Sequence, residues 1–138
     1  MIYLSGIHAL NLPCRLNTCG DWHCSALKWK DLTLLNSDNS IYKEYGIEPD
    51  RTIPEHNGSY YVANHIRAIL DLLEMGAFPL AQGMRDDFIC TSEYDDEIFG
   101  KVLLLNKLPH WKQIDAFMRK EYYMKWVNYL RDKENKND

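Results

Sequence analysis

The clearest hydrophobic pattern in the chain lies in YYVANHIRAILDLLEMG, residues 60–76. Its apolar residues on one helical face are Val62, Ile66, Ile69, Leu70 and Leu73. Most polar residues fall on other faces, and Gly76 stands where a left-handed helix cap costs glycine little. The pattern predicts a core helix over residues 61–75, in which Arg67 and Asp71, one turn apart, form a weak pair.

Shorter patterns precede this helix. The stretch SGIHALNLPC places apolar residues behind a serine cap and ends at a proline, which predicts a short helix. The stretch from Trp22 to Leu35 alternates partly between apolar and polar residues, which predicts one or two strands. Residues 41–59 hold prolines and an Asn-Gly pair, so they are predicted to be irregular or to contain short edge strands.

Two further helices are predicted after Gly76. The first is capped by Ser92 and carries acids in its first turn, and Pro109 opens the second, whose apolar residues recur every three or four positions. Residues 131–138, RDKENKND, have no apolar period and are predicted to fray, which leaves residues 1–130 as one globular domain. Together the patterns predict an α+β fold: a small mixed or antiparallel sheet packed against the central helix, with two C-terminal helices completing the core.

Composition narrows the class of protein. The chain has 138 residues, 46% hydrophobic and 26% charged, which is typical of one globular domain. Its net charge of −4 at pH 7 argues against affinity built on neutralising phosphates, although the basic C-terminal helix leaves contact with nucleic acid open. No apolar run suits a membrane helix and no signal peptide is evident, so a cytoplasmic location with four free thiols is expected.

The segment TCGDWHCS, residues 18–25, gathers residue types that serve metal sites. The possible zinc ligands in and near it are Cys14, Cys19, His23 and Cys24. Their gaps are irregular and no second close pair follows, whereas structural zinc sites usually combine two close pairs. A metal site is therefore not favoured, and no other cofactor is expected because the chain lacks both common phosphate-binding glycine loops.

The same segment also contains residues suited to nucleophilic catalysis. The candidates are Asp21, His23 and Cys24. A thiol nucleophile needs a histidine base, which a distant histidine would supply. The favoured interpretation is structural: a turn at Gly20-Asp21 leads into a strand, and the cysteines serve as small apolar residues.

Aromatic side chains and arginine are common anchors at protein interfaces. The residues proposed here for contact with a protein partner are Trp22, His23, Arg67, Trp111, Tyr123 and Trp126. The aromatic stripe of the last helix is more typical of a core, so a partner would use only the part of it that is exposed.

Two segments resemble a known family. YLSGIHALNL, followed by a strand-rich middle and then IPEHNGSYYVANHIRAILDLLEMG, is similar over residues 3–76 to the C-terminal domain of abortive-infection antitoxins of the AbiE type. The matching positions are Ala9 and Leu10, then Val62, Ala63, Arg67, Ile69, Leu70, Asp71 and Leu72. The resemblance does not extend to the winged-helix DNA-binding domain usual in that family, so it does not imply operator binding.

The resemblance implies a non-catalytic bacterial protein of the toxin–antitoxin or phage-defence class. Such a protein acts by binding another protein, and a nucleotidyltransferase-type toxin is the partner that the family suggests. Two alternatives stay open: a small cysteine- and histidine-dependent hydrolase or transferase, and a zinc-stabilised module.

Overall fold

A computed structural model describes residues 1–20 and 26–136 and shows an α+β fold with a four-stranded mixed sheet. The strands are β1 (Ile2–Leu4), β2 (Leu34–Asn36), β3 (Ile47–Arg51) and β4 (Tyr60–Ala63). The α-helices are α1 (Gly6–Leu10), α2 (His65–Met75), α3 (Phe78–Ala81), α4 (Asp95–Leu103), α5 (Trp111–Tyr122) and α6 (Met124–Lys136). A 3₁₀ turn at Ser37–Asn39 and a π-helical turn at Met84–Ile89 complete the elements. The predicted α+β class is confirmed.

The chain divides into two compact units, Met1–Thr91 and Ser92–Asp138. The first holds the sheet with α1, α2 and α3, and the second holds α4, α5 and α6. The single domain predicted over residues 1–130 stays a prediction. In the part of the chain that the structure describes, none of the helices has the length and apolar character that crossing a bilayer requires.

In the first unit the sheet has the order β2-β1-β4-β3. Strand β1 pairs antiparallel with β2 and parallel with β4, and β4 pairs antiparallel with β3. The two central strands supply the buried side chains of Tyr3, Leu4, Val62 and Ala63. The segment predicted as irregular with short edge strands contains β3 at the edge of the sheet, as expected.

The predicted central helix begins later than its pattern indicates. Residues 60–63 form β4, because Val62 pairs with Leu4 on one side and with Glu48 on the other. Their valine and tyrosines favour a strand, and a pair of neighbouring strands outweighs the helical spacing of one valine. The helix starts at His65, after Asn64 caps it by accepting the backbone N–H of Arg67 at 2.9 Å. The predicted start at residue 61 is therefore wrong.

Helix α2 is buried on every side. All its residues from His65 to Leu73 are buried, including Arg67 and Asp71, whose pairing was expected to be weak. At its end Gly76 takes φ 78 and ψ 19, the left-handed cap that the sequence predicts, and Ala77 donates its N–H to the Leu72 carbonyl at 2.8 Å. Helix α2 is thus the centre of the first unit.

The strands predicted between Trp22 and Leu35 are mostly turns in the described residues. Only Leu34 and Leu35 belong to a strand, β2, while residues 26–33 form turns and bends, and residues 21–25 lie outside the described residues. Histidine side chains, rather than a neighbouring strand, form hydrogen bonds with part of this backbone. His8 Nε2 binds the Lys28 carbonyl at 2.9 Å, and His56 Nε2 binds the Trp29 carbonyl at 2.5 Å.

In the second unit three features differ from prediction. Helix α4 begins at Asp95 with acids in its first turn, but Tyr94 rather than Ser92 is its N-terminal cap residue. The single helix predicted after Pro109 is broken into α5 and α6 at Tyr123, which takes φ 53 and ψ −130. Residues 131–136, predicted to fray, continue α6 as helix. Around this break the Phe99 ring lies 5.5 Å from that of Trp126, which forms an aromatic core.

Candidate functional site

The predicted site residues differ in whether the structure describes them and in how exposed they are. The residues of the TCGDWHCS segment that were singled out lie outside the described residues: Asp21, Trp22, His23 and Cys24. Arg67 and Trp126 are fully buried, so their proposed contact with a partner is wrong. Trp111 is half-buried and Tyr123 is exposed, so both remain available to a partner.

The expectation that all cysteines are free is also wrong. Cys19 and Cys90 form a disulfide with their Cα atoms 5.9 Å apart, within the usual range for such bonds. The approach is held by the backbone, because the N–H groups of Cys19 and Gly20 both donate to the Phe88 carbonyl at 3.1 Å. An oxidised Cys19 cannot ligate zinc, and among the described residues no three histidine, cysteine or acidic side chains are placed to hold a metal.

A different cysteine forms a cluster with a histidine. Cys14 is a free thiol, and its Sγ lies 3.4 Å from the Thr18 hydroxyl. The same hydroxyl lies 2.6 Å from Nδ1 of His65, the first residue of α2. We call Cys14, Thr18 and His65 the thiol cluster. It joins the loop after α1 to the N-terminus of α2.

The backbone fixes the imidazole of this cluster. His65 Nε2 lies 2.6 Å from the Leu12 carbonyl, which only accepts, so Nε2 carries a proton. Nδ1 therefore faces the Thr18 hydroxyl as an acceptor when the ring is neutral, and as a donor when it is charged. Gly20 packs against the same ring, since a β-carbon there would lie 3.2 Å from Cε1. His65 is held in one orientation.

The loop that carries Cys14 is also held by hydrogen bonds from the sheet. Glu48 of β3 accepts the Arg15 backbone N–H at 2.8 Å. The guanidinium of Arg51 binds both the Glu48 carboxylate and the Pro13 carbonyl. Both neighbours of Cys14 are therefore anchored to β3, which fixes the position of the half-buried thiol between them.

The two titratable groups of the cluster shift each other. Burial opposes ionisation of the Cys14 thiol, but the hydrogen bond and positive charge of His65, with the Thr18 hydroxyl, outweigh it and lower the pKa of Cys14. Burial likewise opposes charging of His65, but Cys14, the Leu12 carbonyl and Glu48 raise the pKa of the imidazole. Both shifts favour a thiolate beside an imidazolium, the arrangement that activates cysteine nucleophiles.

The sequence predicts a distant histidine as the base for a thiol of the TCGDWHCS segment, whereas the structure brings His65 and Cys14 to the same Thr18 hydroxyl. The residues around Cys14, including Pro13, form no motif that would indicate a reactive thiol. The cluster depends on the Leu12 carbonyl and the Thr18 hydroxyl meeting the start of α2, which is a tertiary arrangement. One local signal existed: a histidine directly after the helix cap Asn64.

A second feature of the first unit is a buried polar network around Asp71. Its Oδ2 accepts from the Ser5 hydroxyl at 2.6 Å and from the Tyr3 hydroxyl at 2.7 Å, and its Oδ1 accepts from Arg67 Nε at 2.9 Å. Arg67 also donates to the carbonyls of Lys43 and Tyr45. The network joins β1, α2 and the turn before β3, so its role is structural.

The second unit carries a pocket of about 400 Å³ along α5 and α6. Its charged and aromatic walls are Trp111, Asp115, Arg119, Lys133 and Glu134. Asp115 shapes one wall, because its Oδ1 accepts from Arg119 Nε at 3.1 Å and from Trp126 Nε1 at 2.8 Å. The pocket therefore presents charges of both signs beside an aromatic face.

Known proteins offer no template for these features. Comparison with protein-family models, with curated proteins and with solved structures finds none that matches this chain.

Proposed function

We propose that this chain is a non-catalytic cytoplasmic protein that acts by binding another protein, in the manner of a bacterial antitoxin or a phage-defence component. The proposed partner is a nucleotidyltransferase-type toxin. The class comes from the resemblance over residues 3–76. One observation supports it: the two segments that carry the resemblance pack against each other.

That contact is specific. Ser5 and Asp71, one from each segment, are 66 residues apart in the chain and share a hydrogen bond of 2.6 Å. Ala9 and Leu10 are buried, and their helix α1 packs on α2. If the likeness of the two separate segments were due to chance, they would not have to be in contact in the folded chain. Their meeting in one buried core supports the resemblance.

Because the matched residues are buried, they form a scaffold, and partner contacts belong on the surface. In the second unit Tyr123 is 66% exposed and the adjacent Met124 is 56% exposed. Aromatic and methionine side chains are enriched at protein interfaces. We therefore place the partner contact at the break between α5 and α6 and at the pocket lined by Trp111.

Co-expression with a nucleotidyltransferase-type toxin encoded next to this chain tests the proposal. We expect the two proteins to co-purify and the toxin to transfer fewer nucleotides and inhibit growth less. Tyr123→Ala should weaken binding by about tenfold or more, the loss typical of an interface anchor. The matched control is Tyr61→Ala, which removes another exposed tyrosine from β4 in the first unit. A toxin equally active with and without this protein would rule the proposal out.

A further inference from the structure

The thiol cluster combines a partly exposed cysteine with a fixed base. Cys14 is free and half-buried, whereas His65 is 1% exposed. The Thr18 hydroxyl contacts both residues, 3.4 Å from the sulfur and 2.6 Å from the imidazole. The residues on either side of Cys14, Pro13 and Arg15, are exposed.

We propose that Cys14 is an activated thiol that reacts with low-molecular-weight disulfides and becomes a modification site. The observation that carries this is that a free thiol on a half-buried residue and a buried imidazole contact the same hydroxyl. Among the described residues of the TCGDWHCS segment, Thr18 belongs to the cluster and Gly20 packs against its imidazole. The proposal does not rest on the partner-binding function proposed above.

The reaction balances without any further oxidant. The Cys14 thiolate attacks one sulfur of the small disulfide, and a new sulfur–sulfur bond forms as the original one breaks. The other half leaves as a thiolate and takes a proton from water. His65 stays protonated during the attack and stabilises the thiolate before it. The product is a mixed disulfide at Cys14.

Charged groups lie on each element that packs against the thiol cluster. Helix α2 supplies His65, β3 supplies Glu48 and Arg51, and the loop itself supplies Arg15. Glu48 and Arg51 form an ion pair, and the charge of Glu48 also favours the protonated form of His65. His65 is the group among them whose hydrogen bond and positive charge favour the Cys14 thiolate.

The test measures the reaction of Cys14 with iodoacetamide and with glutathione disulfide as a function of pH. A Cys24→Ser background leaves Cys14 as the free thiol, and peptide mass mapping confirms which residue is modified. We expect the midpoint of the alkylation profile to lie below that of an unstructured cysteine peptide, and a glutathione adduct at Cys14 at neutral pH. The midpoint is the better readout, since a thiolate of low pKa is intrinsically less nucleophilic.

Variants of the other two cluster members locate the cause. His65→Gln should move the midpoint up to that of the peptide or above it, because burial of Cys14 is then no longer outweighed, and should slow adduct formation several-fold at neutral pH. Thr18→Val should move it up partly, whereas Thr18→Ser, which keeps the hydroxyl, should leave it unchanged. Because Thr18 is only half-buried, these two variants serve if His65→Gln fails to fold. An unreactive Cys14, or a midpoint equal to that of the peptide in the parent chain, overturns the proposal.

Discussion

Arg67 and Asp71 form an ion pair of 2.9 Å in which the side chains are 0% and 1% exposed. The guanidinium is further satisfied by the carbonyls of Lys43 and Tyr45, at 2.7 and 2.6 Å. Burying two charges costs several kcal/mol per ion unless the geometry and the additional hydrogen bonds repay it. Here the compensating groups come from β1, from the residue after it and from the turn before β3, so the pair fixes how these parts fit against α2.

Removing the arginine should therefore be costly. We expect Arg67→Met to lower the free energy of unfolding by about 3–5 kcal/mol, because Asp71 is left as a buried charge without its partner. The matched control is Arg119→Met, which breaks an exposed pair of the same i,i+4 spacing and should cost about 0.2–1 kcal/mol. Urea unfolding followed by circular dichroism measures both. Equal losses in the two variants would contradict the structural role of the buried pair.

The tyrosine in the same network predicts a loss of stability at alkaline pH. Burial, then the hydrogen bond and charge of Asp71, raise the pKa of Tyr3 above its ordinary value, and burial and Glu74 raise the pKa of Tyr42. A group whose pKa is raised by folding binds its proton more tightly in the folded state. Its contribution is complete below the unfolded pKa of about 10 and is lost as pH rises above it.

We therefore expect the free energy of unfolding to fall as the pH rises above about 10, the ordinary tyrosine pKa. In Tyr3→Phe this fall should be shallower, although the variant loses about 1 kcal/mol at neutral pH with its hydrogen bond to Asp71. Urea unfolding at a series of pH values gives both slopes. Identical slopes in the parent and in Tyr3→Phe would show that Tyr3 does not cause the loss.

The Cys19–Cys90 disulfide predicts a redox-dependent stability of the first unit. The bond links two cysteines with a sequence separation of 71 residues. A disulfide that closes a loop of this size stabilises the folded state by about 4 kcal/mol, because it restricts the unfolded chain. We expect a reductant to lower the melting temperature of the parent chain and to leave Cys90→Ser unchanged. Peptide mapping without reductant should recover Cys19 linked to Cys90. Four titratable thiols in the denatured, unreduced protein would contradict the bond.

A single methyl group tests how tightly the thiol cluster is packed. A β-carbon at Gly20 would lie 2.5 Å from the Leu10 carbonyl oxygen and 3.2 Å from His65 Cε1, so the backbone must shift. We expect Gly20→Ala to cost about 1–3 kcal/mol and to change the alkylation profile of Cys14. Gly100→Ala in α4 is the control, since a β-carbon there would lie an ordinary 3.4 Å from the Tyr129 hydroxyl and alanine favours helix by about 1 kcal/mol over glycine. A neutral Gly20→Ala would show that the ring is loosely held.

Local patterns predicted the parts of the fold that local forces decide. The apolar spacing of Ile66, Ile69 and Leu73 and the cap at Gly76 gave the body of α2. The start of that helix was missed because Val62 fits a helical face equally well, and only its two partner strands, far away in sequence, select β4. Strand pairing depends on such non-local contacts, which no single segment contains.

The site was harder to predict for the same reason. Cysteine and histidine types drew attention to TCGDWHCS, whereas the described cluster uses Cys14, whose neighbours form no recognisable motif. Its base, His65, is supplied by the start of α2 and is oriented by the backbone of Leu12. The disulfide was not predicted, because the redox state expected for a cellular compartment does not reveal tertiary contacts. Here the Phe88 carbonyl accepts the N–H groups of Cys19 and Gly20 and so holds Cys19 near Cys90.

Tyr123 offers a test that separates stability from partner binding. Its φ of 53 and ψ of −130 belong to a region that glycine adopts readily and side chains with a β-carbon adopt at a cost of about 1–3 kcal/mol. We expect Tyr123→Gly to raise the free energy of unfolding by about 1 kcal/mol, since the exposed ring contributes little to the core. In Tyr61→Gly, where a strand residue loses its side chain, the free energy of unfolding should fall.

Urea unfolding measures both variants, and binding is measured on the same samples. If Tyr123 serves recognition, the stabilised variant should bind the proposed partner less tightly. A variant that is both less stable and unchanged in binding would remove Tyr123 from the proposed interface.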